Sequence, residues 1–238
     1  MATDVHEIAP DIFRIATYRE GAAITFVQFL VRDDEPLLYH TGGRAIFEET
    51  LQAVRSLIDP ATLRHISWSH LESDECGAMN DFLAAAPNAE PISGPLGRML
   101  GAGDFFTKPV RGLGEDETLE LGTKKLRFLI TPHVPHSWDA IMAYEETTGT
   151  LFVSDLFTAF GPTAAVTDQD IVEPALAVLD QLPDYLPIGP HTSRVFERLE
   201  ALEPRVLAGH HSPAYFGDAT QALRDLRVEM FRKAGFSP

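Results

Sequence analysis

An α+β fold, with helices on the outer faces of two stacked sheets, follows from three features of the 238-residue sequence. Short β-type runs occur in two batches, one in the N-terminal third and one between Thr118 and Ser154. Segments with helical apolar spacing follow each batch. No repeat, low-complexity stretch or linker interrupts the chain, so one domain over residues 1–238 is expected. A sheet that buries both faces needs helices on its outer side, so this order predicts a four-layer αββα sandwich.

In the first batch, Ile12 to Ile15, Ile24 to Val31 and Leu37 to Tyr39 lie between polar or Gly/Pro punctuation and read as a strand meander. Ile46, Leu51, Val54, Leu57 and Ile58 then recur at helical spacing until Asp59-Pro60, predicting a helix over Ala45 to Ile58. His65 to Trp68 is a short strand, and Gly77 to Ala86 a second helix. In the second batch, strands are expected at Thr118 to Leu121, Leu126 to Thr131, Ala140 to Tyr144 and Leu151 to Ser154. Helices follow at Ile171 to Leu182, Ser193 to Leu202 and Ala219 to Ala234, with a strand at Arg205 to Ala208 between the last two.

A formal charge of -16 with scattered basic residues argues against a nucleic-acid partner, which requires a basic face. Apolar runs such as Ala22 to Val31 reach about half a membrane span, and the N-terminus lacks a secretory pattern, so no membrane association and a cytoplasmic location are expected. The single Cys76 cannot form an internal disulfide and reads as a buried structural thiol.

The segment carrying the chemistry is Trp68 to Gly77. His70, Glu72 and Asp74 alternate, so an extended chain leaving the strand would turn all three to one side. One imidazole and two carboxylates would repel in an interior unless a divalent cation compensated them. A solvated acidic loop is the competing reading. An H-x-E-x-D match arises by accident on the order of one time in a hundred in such a chain, so companions are needed. They stand just after other expected strands: His133, Asp155 and His210.

This order, carried by His70-Leu71-Glu72-Ser73-Asp74, Thr131 to Ser137, Phe152 to Phe157 and Ala208-Gly209-His210, resembles the metallo-β-lactamase superfamily. The Glu at its second ligand position resembles the flavodiiron proteins and stand-alone oxygen-binding di-iron proteins. The resemblance implies a metallo-β-lactamase-like sandwich in which His70, Glu72 and His133 hold one metal, Asp74 and His210 the other, and Asp155 bridges them. Glu72, where the superfamily's hydrolases carry a second His, makes the pocket harder and more anionic and favours two iron ions over manganese or zinc.

Glu75 departs from the family's usual His. As a ligand it would bring the carboxylates to four with Glu72, Asp74 and Asp155, balancing two Fe(II) ions and lowering the reduction potential; the alternative is a solvated acid at a helix N-terminus. His211 adjoins His210 where the family has Gly, and His210 is assigned as the ligand. His136 reads as a loop residue near the pocket mouth, and His40 as a hydrogen-bond partner of the metal ligands. Trp138, Tyr144, Phe157 and Phe160 are candidates to line a small apolar pocket.

The resemblance implies binding, sensing or reduction of O2, with NO as an alternative ligand. No FMN site and no flavodoxin domain are expected in these residues, so turnover would call for a separate electron-donor protein. Two-metal hydrolysis of a phosphoester, thioester or lactone is the competing enzyme reading, and a non-catalytic oxygen sensor is the third. Family members often pair, which leaves a homodimer open.

Overall fold

A computed structural model of the chain describes residues 3–101 and 103–236. The first half runs β1 (Asp4–Ala9), β2 (Ile12–Arg19), β3 (Ile24–Val31), β4 (Leu37–Tyr39), α1 (Phe47–Leu57), β5 (His65–Ser67), α2 (Ser73–Cys76), α3 (Met79–Ala85), β6 (Glu90–Ser93), α4 (Pro95–Gly101) and β7 (Arg111–Gly112). The second runs β8 (Thr118–Glu120), β9 (Lys125–Ile130), β10 (Ile141–Glu145), β11 (Thr150–Ser154), β12 (Val166–Thr167), α5 (Val172–Gln181), α6 (Thr192–Ala201), β13 (Val206–Gly209), β14 (Ala214–Tyr215) and α7 (Ala219–Lys233).

Each half builds one mixed seven-stranded sheet, ordered β1 to β7 in the first and β12-β14-β13-β11-β10-β9-β8 in the second. Side-chain alternation assigns the layers. On β3, Val27, Phe29 and Val31 face the second sheet, where they meet Phe128, Ala143 and Phe152, while Leu30 turns outward. The outer face of the first sheet packs Phe13, Ile15, Leu38 and Ile66 under Leu51 and Val54 of α1 and Phe82 of α3. On the second sheet Leu151, Val153 and Leu207 face α5, α6 and α7 through Leu179, Phe196, Leu199 and Leu226. The expected αββα layering is therefore what forms, and its strands, buried on both faces, read as near-continuous apolar runs for that reason.

The sequence reading missed β1, β6, β7, β12 and β14, each short, weakly apolar or at a sheet margin. It also missed α4, whose Pro95-Leu96-Gly97 start carries two residues of low helix propensity. No helix among the described residues is long and apolar enough to cross a membrane.

The register places the C-terminal ends of β4 and β5, which pair in parallel, at one end of the sandwich. β11 and β13 pair in parallel, and β9 runs with them through the antiparallel β10. The loops leaving β5, β9, β11 and β13 converge there.

Candidate metal centre

His70 lies three residues beyond β5, fully buried, with Nδ1 3.0 Å from Ser69 Oγ. The chain does not continue in extended form, as the alternation at His70, Glu72 and Asp74 predicted. Glu72 is extended (φ -131°, ψ 164°), and Ser73–Cys76 then closes one helical turn, so Asp74 and Glu75 sit side by side on α2. Convergence comes from this turn, and it brings in Glu75, which strict alternation would have sent away from the cluster.

Two groups of ligand atoms result. His70, Glu72 and His136 are close enough to hold one ion, and Asp74, His210 and His211 a second. His136 Nε2 is 3.4 Å from Glu72 Oε1, and His70 Nε2 is 3.8 Å from Glu72 Oε2. In the other group, Asp74 Oδ2 is 3.6 Å from His210 Nε2 and 3.3 Å from His211 Nε2. Asp155, at the end of β11, reaches both: Oδ2 is 3.5 Å from His70 and 3.4 Å from His136, and Oδ1 is 3.5 Å from His211. Asp155 thus faces histidines of both groups.

These separations are long for hydrogen bonds but suit ligands sharing an ion, since two atoms each about 2.1 Å from one metal stand about 3.0 to 3.4 Å apart. Several of the atoms are orphaned. His70 Nε2, His210 Nε2, Asp155 Oδ1 and both carboxylate oxygens of Glu75 are buried without a hydrogen-bond partner. Each such atom costs about 1–3 kcal/mol unless something fills its place. A cation is what this set of lone pairs fits.

Two histidine assignments change. His133 is exposed and belongs to none of the ligand groups; His136, three residues on, occupies the place expected of it. A tight turn causes the exchange. Val134 N–H donates to Thr131 O, the Thr131 hydroxyl donates to Val134 O, and His133, at φ 61°, donates its N–H to Ser137 O. Val134 takes the buried position and His133 points out. His211 joins His210 in place of standing aside. Thr25 and Val27 carbonyls of β3, beyond the stretch Phe29–Val31 that pairs with β4, accept from His211 Nδ1 at 2.9 Å and from His210 Nδ1 at 2.6 Å. Both Nδ1 atoms therefore carry a proton, so in the neutral ring each Nε2, on the Asp74 side, is the nitrogen available to an ion.

His40 stands behind the ligands as expected: Nδ1 is 3.0 Å from His210 Nδ1 and Nε2 is 3.0 Å from Ser69 Oγ. Ser154 donates to the same Ser69 oxygen at 2.8 Å. Neither serine carried any signal in the sequence. His40 and Ser154, together with His133 and Ser137 of the turn, adopt positive φ, backbone strain of the kind that gathers at functional sites.

The charges pull on one another. The neighbouring imidazoles of His136 and then His70 hold the Glu72 carboxyl at about 2. Burial would raise Asp74, but His210 and His211 outweigh it and hold the carboxyl far below the usual range. Burial first, then Asp155, Asp74 and Glu72, push the Glu75 carboxyl well above its ordinary value. Cys76 is a buried thiol, as expected; its S–H donates to Glu72 O at 3.1 Å and burial pushes it up to about 12.

The aromatic wall differs from the expected one. Phe157 is core, Tyr144 donates to Leu202 O, and Trp138 and Phe160 are 47% and 42% exposed. The rings beside the cluster are Phe26, 5.5 Å from His211, and Tyr185, 4.9 Å from His136. The Glu72 side chain, 48% exposed, marks the open side, beside a cleft of about 380 Å³ lined by Leu71, Ser73, Cys76, Met79 and Phe105.

Residues 24–212 match the ODP family beta lactamase. Curated relatives include the diflavin flavoprotein A 1 of Nostoc sp. PCC 7120, 28% identical over 197 residues that cover 79% of this chain and 33% of that protein. Another is the flavo-diiron protein FprA2 of Clostridium acetobutylicum, 22% identical over 230 residues, covering 88% and 55%. The chain thus spans about a third of the first protein and about half of the second. The fold matches the Flv1 flavodiiron core of Synechocystis sp. PCC6803 (TM-score 0.82, 20% identity, 97% of this chain and 61% of that one). It also matches the rubredoxin oxygen:oxidoreductase of Desulfovibrio gigas (TM-score 0.80, 19% identity, 95% and 61%).

Proposed function

Because this chain belongs to the ODP beta-lactamase family, with flavodiiron domains among its relatives, we propose that it is one non-haem di-iron domain that binds and reduces O2 or NO. The observation that carries this reading is the carboxylate content of the two ligand groups, with Glu72 completing the half built by His70 and His136. A nitrogen-rich half at that position would suit zinc, whereas mixed imidazole and carboxylate ligands suit iron. Proposed ligands are His70, Glu72 and His136 for one ion, Asp74, His210 and His211 for the other, and Asp155 for both. Bound iron would supply the redox step, passing electrons to the gas.

The chain's own residues supply the rest. β3 carbonyls fix the tautomers of His210 and His211. Ser69 Oγ, 3.0 Å from Nδ1, holds the His70 ring in place. Phe26 and Tyr185 cover the imidazoles and limit water, leaving access on the Glu72 side. Continued reduction takes electrons from a donor outside this cluster. The name of the Megalodesulfovibrio gigas relative, rubredoxin-oxygen oxidoreductase, points to a small redox protein as the class of that donor.

Anaerobic loading with Fe(II), metal analysis, then addition of O2 or NO with and without a chemical reductant tests the reading. Two irons per chain and repeated gas consumption with reductant are expected. A stable reversible adduct without turnover would make the protein a sensor. Ester or lactone hydrolysis by a zinc-loaded protein indifferent to either gas would overturn the redox assignment.

A further inference from the structure

The di-iron reading leaves Glu75 unused, yet no ligand candidate is more constrained. Its side chain is fully buried and neither carboxylate oxygen has a hydrogen-bond partner. A solvated helix-terminal acid is excluded by that burial.

What surrounds Glu75 belongs to both halves of the centre. Its Oε1 lies 3.5 Å from His70 Nε2, and His70, Glu75 and Asp155 together have atoms close enough to hold one ion. Glu72, Asp74 and Glu75 form another such set, and Asp74 is the ligand that faces His210 and His211. Glu72 and Asp74 share that last set, but the histidines each faces belong to one half, whereas Asp155 faces histidines of both and arrives from β11, not from α2, which carries Glu75. We propose that Glu75 is a second bridging carboxylate, bound to both metal ions alongside Asp155. The charges then close: Glu72, Asp74, Glu75 and Asp155 neutralise two divalent ions, whereas three carboxylates would leave a net buried positive charge.

This inference rests on the di-iron reading, and its test separates the two. Wild type, Glu75→Gln and Glu75→Asp are loaded anaerobically with Mn(II) or Fe(II). Ions per chain, the affinity for each ion, the EPR spectrum of the Mn(II) pair and the melting temperature of the metal-free chain are recorded. Glu75→Gln is expected to keep the metal-free melting temperature, to lose at least tenfold in affinity for both ions and to change the coupling seen by EPR; Glu75→Asp recovers part of the affinity. Two ions bound by Glu75→Gln with wild-type affinity and coupling would overturn the proposal. So would a loss confined to one ion with the coupling unchanged, which is the signature of a terminal ligand. Should Glu75→Gln melt lower without metal, wild-type affinity and coupling in Glu75→Asp would show that the carboxylate, not the fold, carries the effect. A wild-type chain that takes up neither ion would instead sink the di-iron reading itself.

Discussion

The Nδ1 atoms of His40 and His210 stand 3.0 Å apart, and one proton fixes the tautomer of both rings. Val27 O, 2.6 Å from the same His210 nitrogen, can only accept, so that proton is on His210. His40 Nδ1 is then the acceptor, and its Nε2–H donates to Ser69 Oγ, which holds His70. Burial, then the neighbouring His210 and His70, keep the His40 pKa well below its ordinary value, in keeping with a neutral ring.

His40→Ala is therefore expected to lower metal affinity about 10–100-fold, the usual effect of losing a partner of a ligating imidazole. His40→Asn, whose Oδ1 can take the place of Nδ1 as acceptor, retains most of it. Titration calorimetry with Mn(II) measures both. An alanine variant that binds as wild type does would reduce His40 to core filling.

His136 and His133 offer a direct comparison between neighbours on one turn. Removing His136 takes a nitrogen from the group it forms with His70 and Glu72, whereas exposed His133 touches no ligand. His136→Ala should bind one iron firmly in place of two, and His133→Ala should still bind two, as read by metal analysis after desalting. The reverse result would restore the assignment made from the family pattern.

That pair also shows where the sequence was legible. β5, β11 and β13 were readable from their apolar runs, because these strands are buried on both faces, and so His70, Asp155 and His210 could be placed at strand ends. The family pattern put His133 ahead of His136, whereas the geometry groups His136 with His70 and Glu72. The choice depends on a left-handed residue and three hydrogen bonds within Thr131–Ser137, which no periodicity encodes. For Glu75 the sequence left ligation and a solvated helix-terminal acid open for a related reason: alternation sends it outward, and only the single turn of α2 sends it in. His211 was hidden because its role depends on the carbonyl of Thr25, distant in sequence.

Away from the centre, Glu145 anchors the turn between β10 and β11. Its carboxylate accepts the N–H groups of Thr147 at 3.0 Å and Thr148 at 2.8 Å and both threonine hydroxyls. Burial raises its pKa, but these bonds outweigh it and leave the carboxyl below its usual 4.5. A lowered folded value means that the stabilisation is complete above 4.5 and is lost as pH falls through the folded pKa. Glu145→Gln should cost about 1.5–3 kcal/mol near neutral pH. Urea unfolding of both proteins from pH 7 down to pH 3 should show the difference shrinking; a constant difference would mean that shape, not charge, anchors the turn.

Gly77 ends the turn that presents Asp74 and Glu75. A Cβ there would stand 2.2 Å from Ser73 O and 3.3 Å from Gly43 Cα, both backbone atoms that cannot move aside as a side-chain end would. Its N–H also closes α2 by donating to Ser73 O at 2.9 Å. Gly77→Ala must therefore open the turn or shift it away from Gly43, at a cost of about 1–3 kcal/mol for the overpacking. The displaced turn carries ligands, so metal affinity should fall along with stability. Gly21→Ala meets nothing within 4 Å and serves as the control. Calorimetric melting with and without Mn(II) separates the effects: Gly77→Ala is expected to lose both the baseline melting temperature and the metal-induced rise. A variant that loses only the baseline would show that α2 can be displaced without disturbing the ligands it carries.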